Sequence, residues 1–236
     1  MLFDDRRLSL NNTFSCAMCH VPEQGFTSQE QATAIGIEGR TVRRNAPTIY
    51  NVAHLKKLFH DGRESTLENQ VWGPLLAHNE MANPSIGFVI DKLRHLPDYR
   101  GMFEAAFRRG PGMETIGQAL ASYERTLISG DSAFDRWFYG KQPDALTPNA
   151  QQGYALFAGK AGIGYRKAMQ HDSEKTRVQL APGIAFDVDA DQIRQVSELE
   201  PGDLGLYEIT QNPTDRWKYR TPGLRNVALT APYMHN

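Results

Sequence analysis

The sequence predicts a mostly α fold, in two domains, with long irregular connections. Three observations predict it. Apolar residues recur at helical spacing in several stretches, period-two alternation is scarce, and one segment returns near the end of the chain. At ~150 residues per domain, 236 residues leave room for one large or two small units.

Residues 86–96 and 99–107 read as amphipathic helices, parted at Leu96-Pro97 because a residue before proline is pushed out of the α region. Gly110-Pro111-Gly112 is a loop. Residues 113–129 set Ile116, Ala119, Leu120, Tyr123 and Leu127 on one helical face. After a second loop at Gly140–Pro143, Thr147 reads as an N-cap and Pro148 as the first helical position, leading into Ala150–Phe157.

Residues 46–61 (APTIYNVAHLKKLFHD) and 221–236 (TPGLRNVALTAPYMHN) align without gaps. They share Pro47/Pro222, Asn51/Asn226, Val52/Val227, Ala53/Ala228 and His60/His235. Shared Pro, Asn and His at fixed offsets point to a duplicated half rather than a coincidental turn-plus-helix pattern. Domains of 1–145 and 146–236 are expected, the second incomplete because its copy stops at Asn236.

Composition excludes several classes. With 40% apolar residues and 10% aromatics the chain can bury a core, and 26 basic against 27 acidic residues argue against nucleic acid as a partner. A mean hydropathy of −0.51 and no apolar run near ~18 residues leave no membrane span. Two cysteines exclude a disulfide scaffold. Met1-Leu2-Phe3 runs straight into Asp4, Asp5, Arg6 and Arg7, so no leader is visible. At face value that means cytoplasm; the alternative expectation is a chain cut at both ends.

The two cysteines carry the chemistry. Cys16-Ala17-Met18-Cys19-His20 is a C-x-x-C-H motif. Two thiols at this spacing can bond to the two vinyl groups of one haem, and the adjacent His then ligates the iron. A thioredoxin-type dithiol would need a preceding strand in a βαβ pattern, and a zinc knuckle would need a second Cys/His pair. A structural pair with a chance His is the plain alternative.

The blocks around the motif resemble the bacterial di-haem cytochrome c peroxidase and MauG family. They run in order through Leu2-Phe3-Asp4-Asp5-Arg6-Arg7-Leu8-Ser9, Gly25-Phe26-Thr27, Arg44-Asn45-Ala46-Pro47-Thr48, Asp61-Gly62-Arg63, Gly73-Pro74 and Asn79-Glu80-Met81. The segment from Tyr219 to His235 is similar to the family's second domain almost word for word. The resemblance implies two cytochrome-c-like helical domains. It implies covalent haem c at Cys16 and Cys19 with His20 as iron ligand, and Glu80 as distal acid–base with Gln70 as its polar neighbour. It also implies an interdomain Ca2+ held by the Asn45 side chain and the carbonyls of Thr230 and Pro232, hard oxygen donors suited to that ion. Haem of this kind is attached outside the cytoplasm, so a periplasmic protein is expected, with its leader missing from this chain.

The departures are as informative. Ile37, after Ile35-Gly36, stands where members needing reductive activation have a His able to block the iron. Such an open site resembles the MauG-like branch. His60 replaces the Trp that many members place before Asp-Gly-Arg, and Trp72 reads as a relay or as core. Where a second C-x-x-C-H is expected, the chain reads Gly159-Lys160-Ala161-Gly162-Ile163-Gly164-Tyr165-Arg166-Lys167, and His171 nearby reads as a surface residue. One covalent haem is therefore expected, and residues 163–200 fit the family poorly. The implied function is reduction of hydrogen peroxide with electrons from a small redox protein of cytochrome c or cupredoxin type. The alternatives are a MauG-like oxidase acting on a partner protein, a one-haem electron carrier, and a degenerate remnant.

Overall fold

A computed structural model of the chain describes residues 1–29, 33–159, 175–181, 184–189 and 203–231. His171 and residues 160–174 lie outside them. The backbone packs as two compact units, Met1–Asp131 with Arg220–Asn236, and Ser132–Tyr219. The expected boundary at 145 falls inside the second of these. Residues after 219 join the first unit because Arg220 N–H donates to the His60 carbonyl (2.7 Å) and Arg220 Nε to that of Phe59 (3.1 Å).

Among the described residues the first unit holds five α-helices: α1 (Leu67–Gln70), α2 (Trp72–Leu76), α3 (Ile86–His95), α4 (Met102–Phe107) and α5 (Met113–Thr126). Helix α3 begins where the Ser85 hydroxyl accepts from Phe88 N–H (3.1 Å), and stops before Leu96-Pro97 as expected. Pro97–Tyr99 forms a 3-10 turn, and α4 starts only after Gly101, whose φ of +76° suits glycine. Helix α5 buries Ile116, Gly117, Leu120, Ala121 and Glu124, a stripe at the 3.6-residue period. Gly117 lets α1 lie close, since a Cβ there would sit 2.6 Å from the Glu68 carbonyl oxygen.

Before α1 the chain forms short loops, several closed by a single antiparallel bridge: Val21–Thr27, Ile35–Thr41 and Leu58–Glu64. A core of Phe3, Leu8, Ile37, Leu75, Met81, Leu93 and Ile116 underlies them.

In the second unit, α6 (Ala133–Phe138) opens with a Ser132/Asp135 capping box. Helix α7 (Pro148–Ala158) has the expected Thr147 cap, its hydroxyl accepting from Ala150 N–H at 3.4 Å. The strands β1 (Lys175–Ala181) and β2 (Ile184–Asp189) pair antiparallel, and α8 (Tyr207–Thr210) follows. Val178, Leu180, Ile184, Phe186 and Val188 alternate in sequence across Pro182-Gly183, a hairpin signal that the helical periodicity elsewhere overshadows. The fold remains mostly α.

Candidate functional site

The motif occupies one tight turn, Cys16–Met18 being 3-10 helical. Cys19 N–H and His20 N–H both donate to the Cys16 carbonyl, at 3.2 and 2.9 Å. A spacing of three along such a turn sets the two thiols on one face. Both are free, and Cys19 Sγ donates to the Ile35 carbonyl at 3.7 Å. Burial pushes each thiol up to about 12, with Glu124, Cys19 and Glu80 adding to the effect at Cys16 and Glu80 at Cys19.

His20 is held by its Nδ1, 3.1 Å from the Phe26 carbonyl. Burial lowers its pKa, and the carbonyls of Phe26 and Pro47 oppose that only in part. Burial thus favours the neutral ring, and the tautomer with its proton on Nδ1 donates to Phe26 and leaves the Nε2 lone pair for a metal. Phe3 stands beside it with ring centroids 6.4 Å apart, and itself packs on Phe26 and Tyr123.

Glu80 sits in the turn between α2 and α3, where its N–H donates to Ala77 and its carbonyl accepts from Ile37 N–H, both at 2.9 Å. That second bond pins the 35–41 loop against the turn. The approach is close enough that a Cβ on Gly36 would lie 2.0 Å from the Asn79 carbonyl oxygen. Burial raises the Glu80 pKa and Arg63 draws it partly back. The carboxyl raises the pKa of both cysteines. Ile37 is fully buried in the core.

Other expected residues fall elsewhere. Gln70 ends α1, and no hydrogen bond joins its side chain to Glu80 among the described residues. Trp72 is core, 5% exposed, with its indole N–H buried and unpartnered. His60 Nε2 lies 2.9 Å from the carbonyl of Asn45, which is buried. Thr230 caps a 3-10 turn at Val227–Leu229, and Pro232 lies outside the described residues. Among the described residues no cluster of three His, Cys, Asp or Glu could hold a metal ion. Sequence reasoning passed over Glu124, which is 7% exposed and acts on Cys16. Its signal was readable: a carboxylate at i+4 from Leu120, on the apolar stripe.

A model of the family described as di-haem cytochrome c peroxidase matches residues 1–143. The chain belongs to this family. It is 36% identical over 235 residues to the cytochrome c peroxidase Ccp of Escherichia coli K12, covering 99% of this chain and 48% of that one. It is 33% identical to the methylamine utilization protein MauG of Methylorubrum extorquens, covering 100% and 62%. The chain thus spans about half to two thirds of the length of these curated relatives. Among solved structures it is similar to a MauG-like protein associated with microbial copper homeostasis (TM-score 0.75, 31% identity, 99% of this chain and 69% of that one). It is also similar to the diheme peroxidase BthA from Burkholderia thailandensis (TM-score 0.72, 26% identity, 100% and 66%).

Membership of the di-haem cytochrome c peroxidase family implies haem c, and the residues present fit it. Two free thiols share one face of a turn, an imidazole follows directly, and the buried Trp72 Nε1 in the core lacks a hydrogen-bond partner among the described residues. No helix among the described residues is long and apolar enough to cross a membrane.

Proposed function

We propose that this chain is a c-type haem peroxidase, reducing hydrogen peroxide to water with two electrons from a small redox protein. Residues 1–145 contain the peroxidatic domain. Residues 146–236 are the counterpart of a second cytochrome-c-like domain that has lost its haem motif, since two cysteines can attach only one haem. The observation that carries the reading is Glu80, a desolvated carboxyl within electrostatic reach of both haem-attaching thiols.

When bound, the haem supplies an iron centre that takes up peroxide and exchanges electrons with it. Cys16 and Cys19 hold the group covalently. His20 would offer Nε2 to the iron, with a proton on Nδ1 donated to the Phe26 carbonyl. Glu80 would serve as the acid–base group, holding a peroxide proton and passing it between the two oxygens. Gln70 supplies a polar neighbour to the same face. Asn45, Thr230 and Pro232 offer oxygen donors of the kind Ca2+ takes; Asn45 and Thr230 belong to the same compact unit. The site operates in the periplasm, where haem c is attached.

Ile37 favours a second reading at the same site, a MauG-like oxidation of a partner protein, because an apolar side chain leaves the iron open. The test is peroxide turnover by haem-loaded protein with a reduced cytochrome c or cupredoxin as donor. Consumption of two donor equivalents per peroxide supports the peroxidase. Peroxide consumed only when a protein substrate is oxidised supports the alternative.

A further inference from the structure

Glu124 is a carboxylate where the fold calls for an apolar side chain. It continues the buried stripe of α5 after Ile116, Leu120 and Ala121, and is itself only 7% exposed. Its own helix offers a cation in Arg125, but both Arg125 nitrogens are taken by Glu68 of α1, at 2.6 and 3.0 Å. No hydrogen bond reaches the Glu124 carboxylate among the described residues. The charged or titratable groups acting with it are Arg125, Glu68 and the Cys16 thiol. On the other elements packed against α5, Asp4 and His54 are exposed, Lys92 reaches the Ser9 carbonyl, and Arg94 reaches that of Pro111. An isolated buried carboxylate is costly when ionised, and this one acts electrostatically on Cys16, which packs against the same core.

We propose that Glu124 is a redox-linked proton acceptor, taking up a proton when the group attached at Cys16 gains an electron. The inference rests on the reading that Cys16 carries a covalent haem. One electron passes from a one-electron donor to the ferric haem, and one proton passes from solvent to a Glu124 oxygen. Only that O–H bond forms, and the buried region keeps its net charge. Burial already raises the Glu124 carboxyl to about 7, with Arg125 opposing and Glu68 adding to the rise. The exchange therefore falls in the neutral range. Glu124 tunes the haem through charge and has no part in breaking the peroxide bond.

The experiment is a spectroelectrochemical titration of haem-loaded protein between pH 5 and pH 9, for the wild type and Glu124→Gln. The midpoint potential should fall as pH rises through neutrality in the wild type and stay level in Glu124→Gln. A level wild-type potential, or a fall that survives in Glu124→Gln, overturns the proposal. Reduced-minus-oxidised infrared spectra of unmodified protein read the same step without relying on a variant. A protonated-carboxyl band gained on reduction supports it, and no such band overturns it. A chain that takes up no covalent haem shows this in its mass before any titration; it refutes the haem reading and the proposal with it. Failure of the potential to move in a haem-loaded chain refutes the proposal alone.

Discussion

Asn51 and Asn226 adopt the same left-handed backbone, φ 57° and ψ 17° against φ 56° and ψ 19°, and each is followed by one 3-10 turn. These are matched positions of the internal repeat, and Asn tolerates this conformation better than most residues. Their side chains differ. Asn51 exchanges two hydrogen bonds with Ser129 after the end of α5, whereas Asn226 Nδ2 is buried without a partner. Asn51→Ala should therefore loosen the end of α5 and cost about 1–3 kcal/mol, by strain at positive φ and by loss of those bonds. Urea unfolding with an unchanged m-value would measure it.

Haem-loaded protein should carry one haem per chain. Mass spectrometry should show the polypeptide plus a single haem, and Cys16→Ala or Cys19→Ala should leave a single thioether. Two haems, or none, would contradict the covalent assignment.

Peroxide should react with the fully oxidised protein, because Ile37 has no atom that can ligate iron. Stopped-flow absorbance would show the change without a reductant. A low-spin, bis-ligated resting spectrum would count against an open site.

Glu80→Gln keeps shape and hydrogen-bonding reach but removes the basic carboxylate. Haem loading should survive, while the peroxide rate falls by about 10²–10⁴-fold. A rate within a few-fold of wild type would remove Glu80 from the chemistry.

Asp61 is buried between Arg44 and Arg63, each 2.7 Å away. Burial works against its charge, but the two guanidiniums outweigh it and hold the carboxyl below its ordinary value. Its contribution to stability is present above the unfolded carboxylate's pKa of about 3.9 and is lost as pH falls through the lower folded value. Asp61→Asn should cost about 1–3 kcal/mol at pH 7 by taking the charged acceptor away from the half-buried Arg44 and the more exposed Arg63, and less in acid. Denaturant melts at the two pH values would show the difference.

The helices and the motif were legible because each writes itself locally. Ser85 and Thr147 cap, Pro97 stops, and Cys16, Cys19 and His20 need only one turn to converge. Helices α1 and α2 escaped notice because one turn is too short for a period to register. The capping box at Ser132/Asp135 was readable but lay beyond the apolar pattern. Long-range features were out of reach. Nothing near Gly36 announces that Asn79 will press against it, and nothing near Arg220 announces that it will bond Phe59 and His60.

That last pairing has a consequence for the order in which the protein is made. The unit holding the C-x-x-C-H turn is discontinuous: its body ends at Asp131 and its remainder begins at Arg220. A chain emerging residue by residue presents Cys16, Cys19 and His20 long before Arg220, which bonds Phe59 and His60, exists. Contacts this distant in sequence close late. Cys16 and Cys19 therefore emerge in a unit whose distant partners have yet to be made.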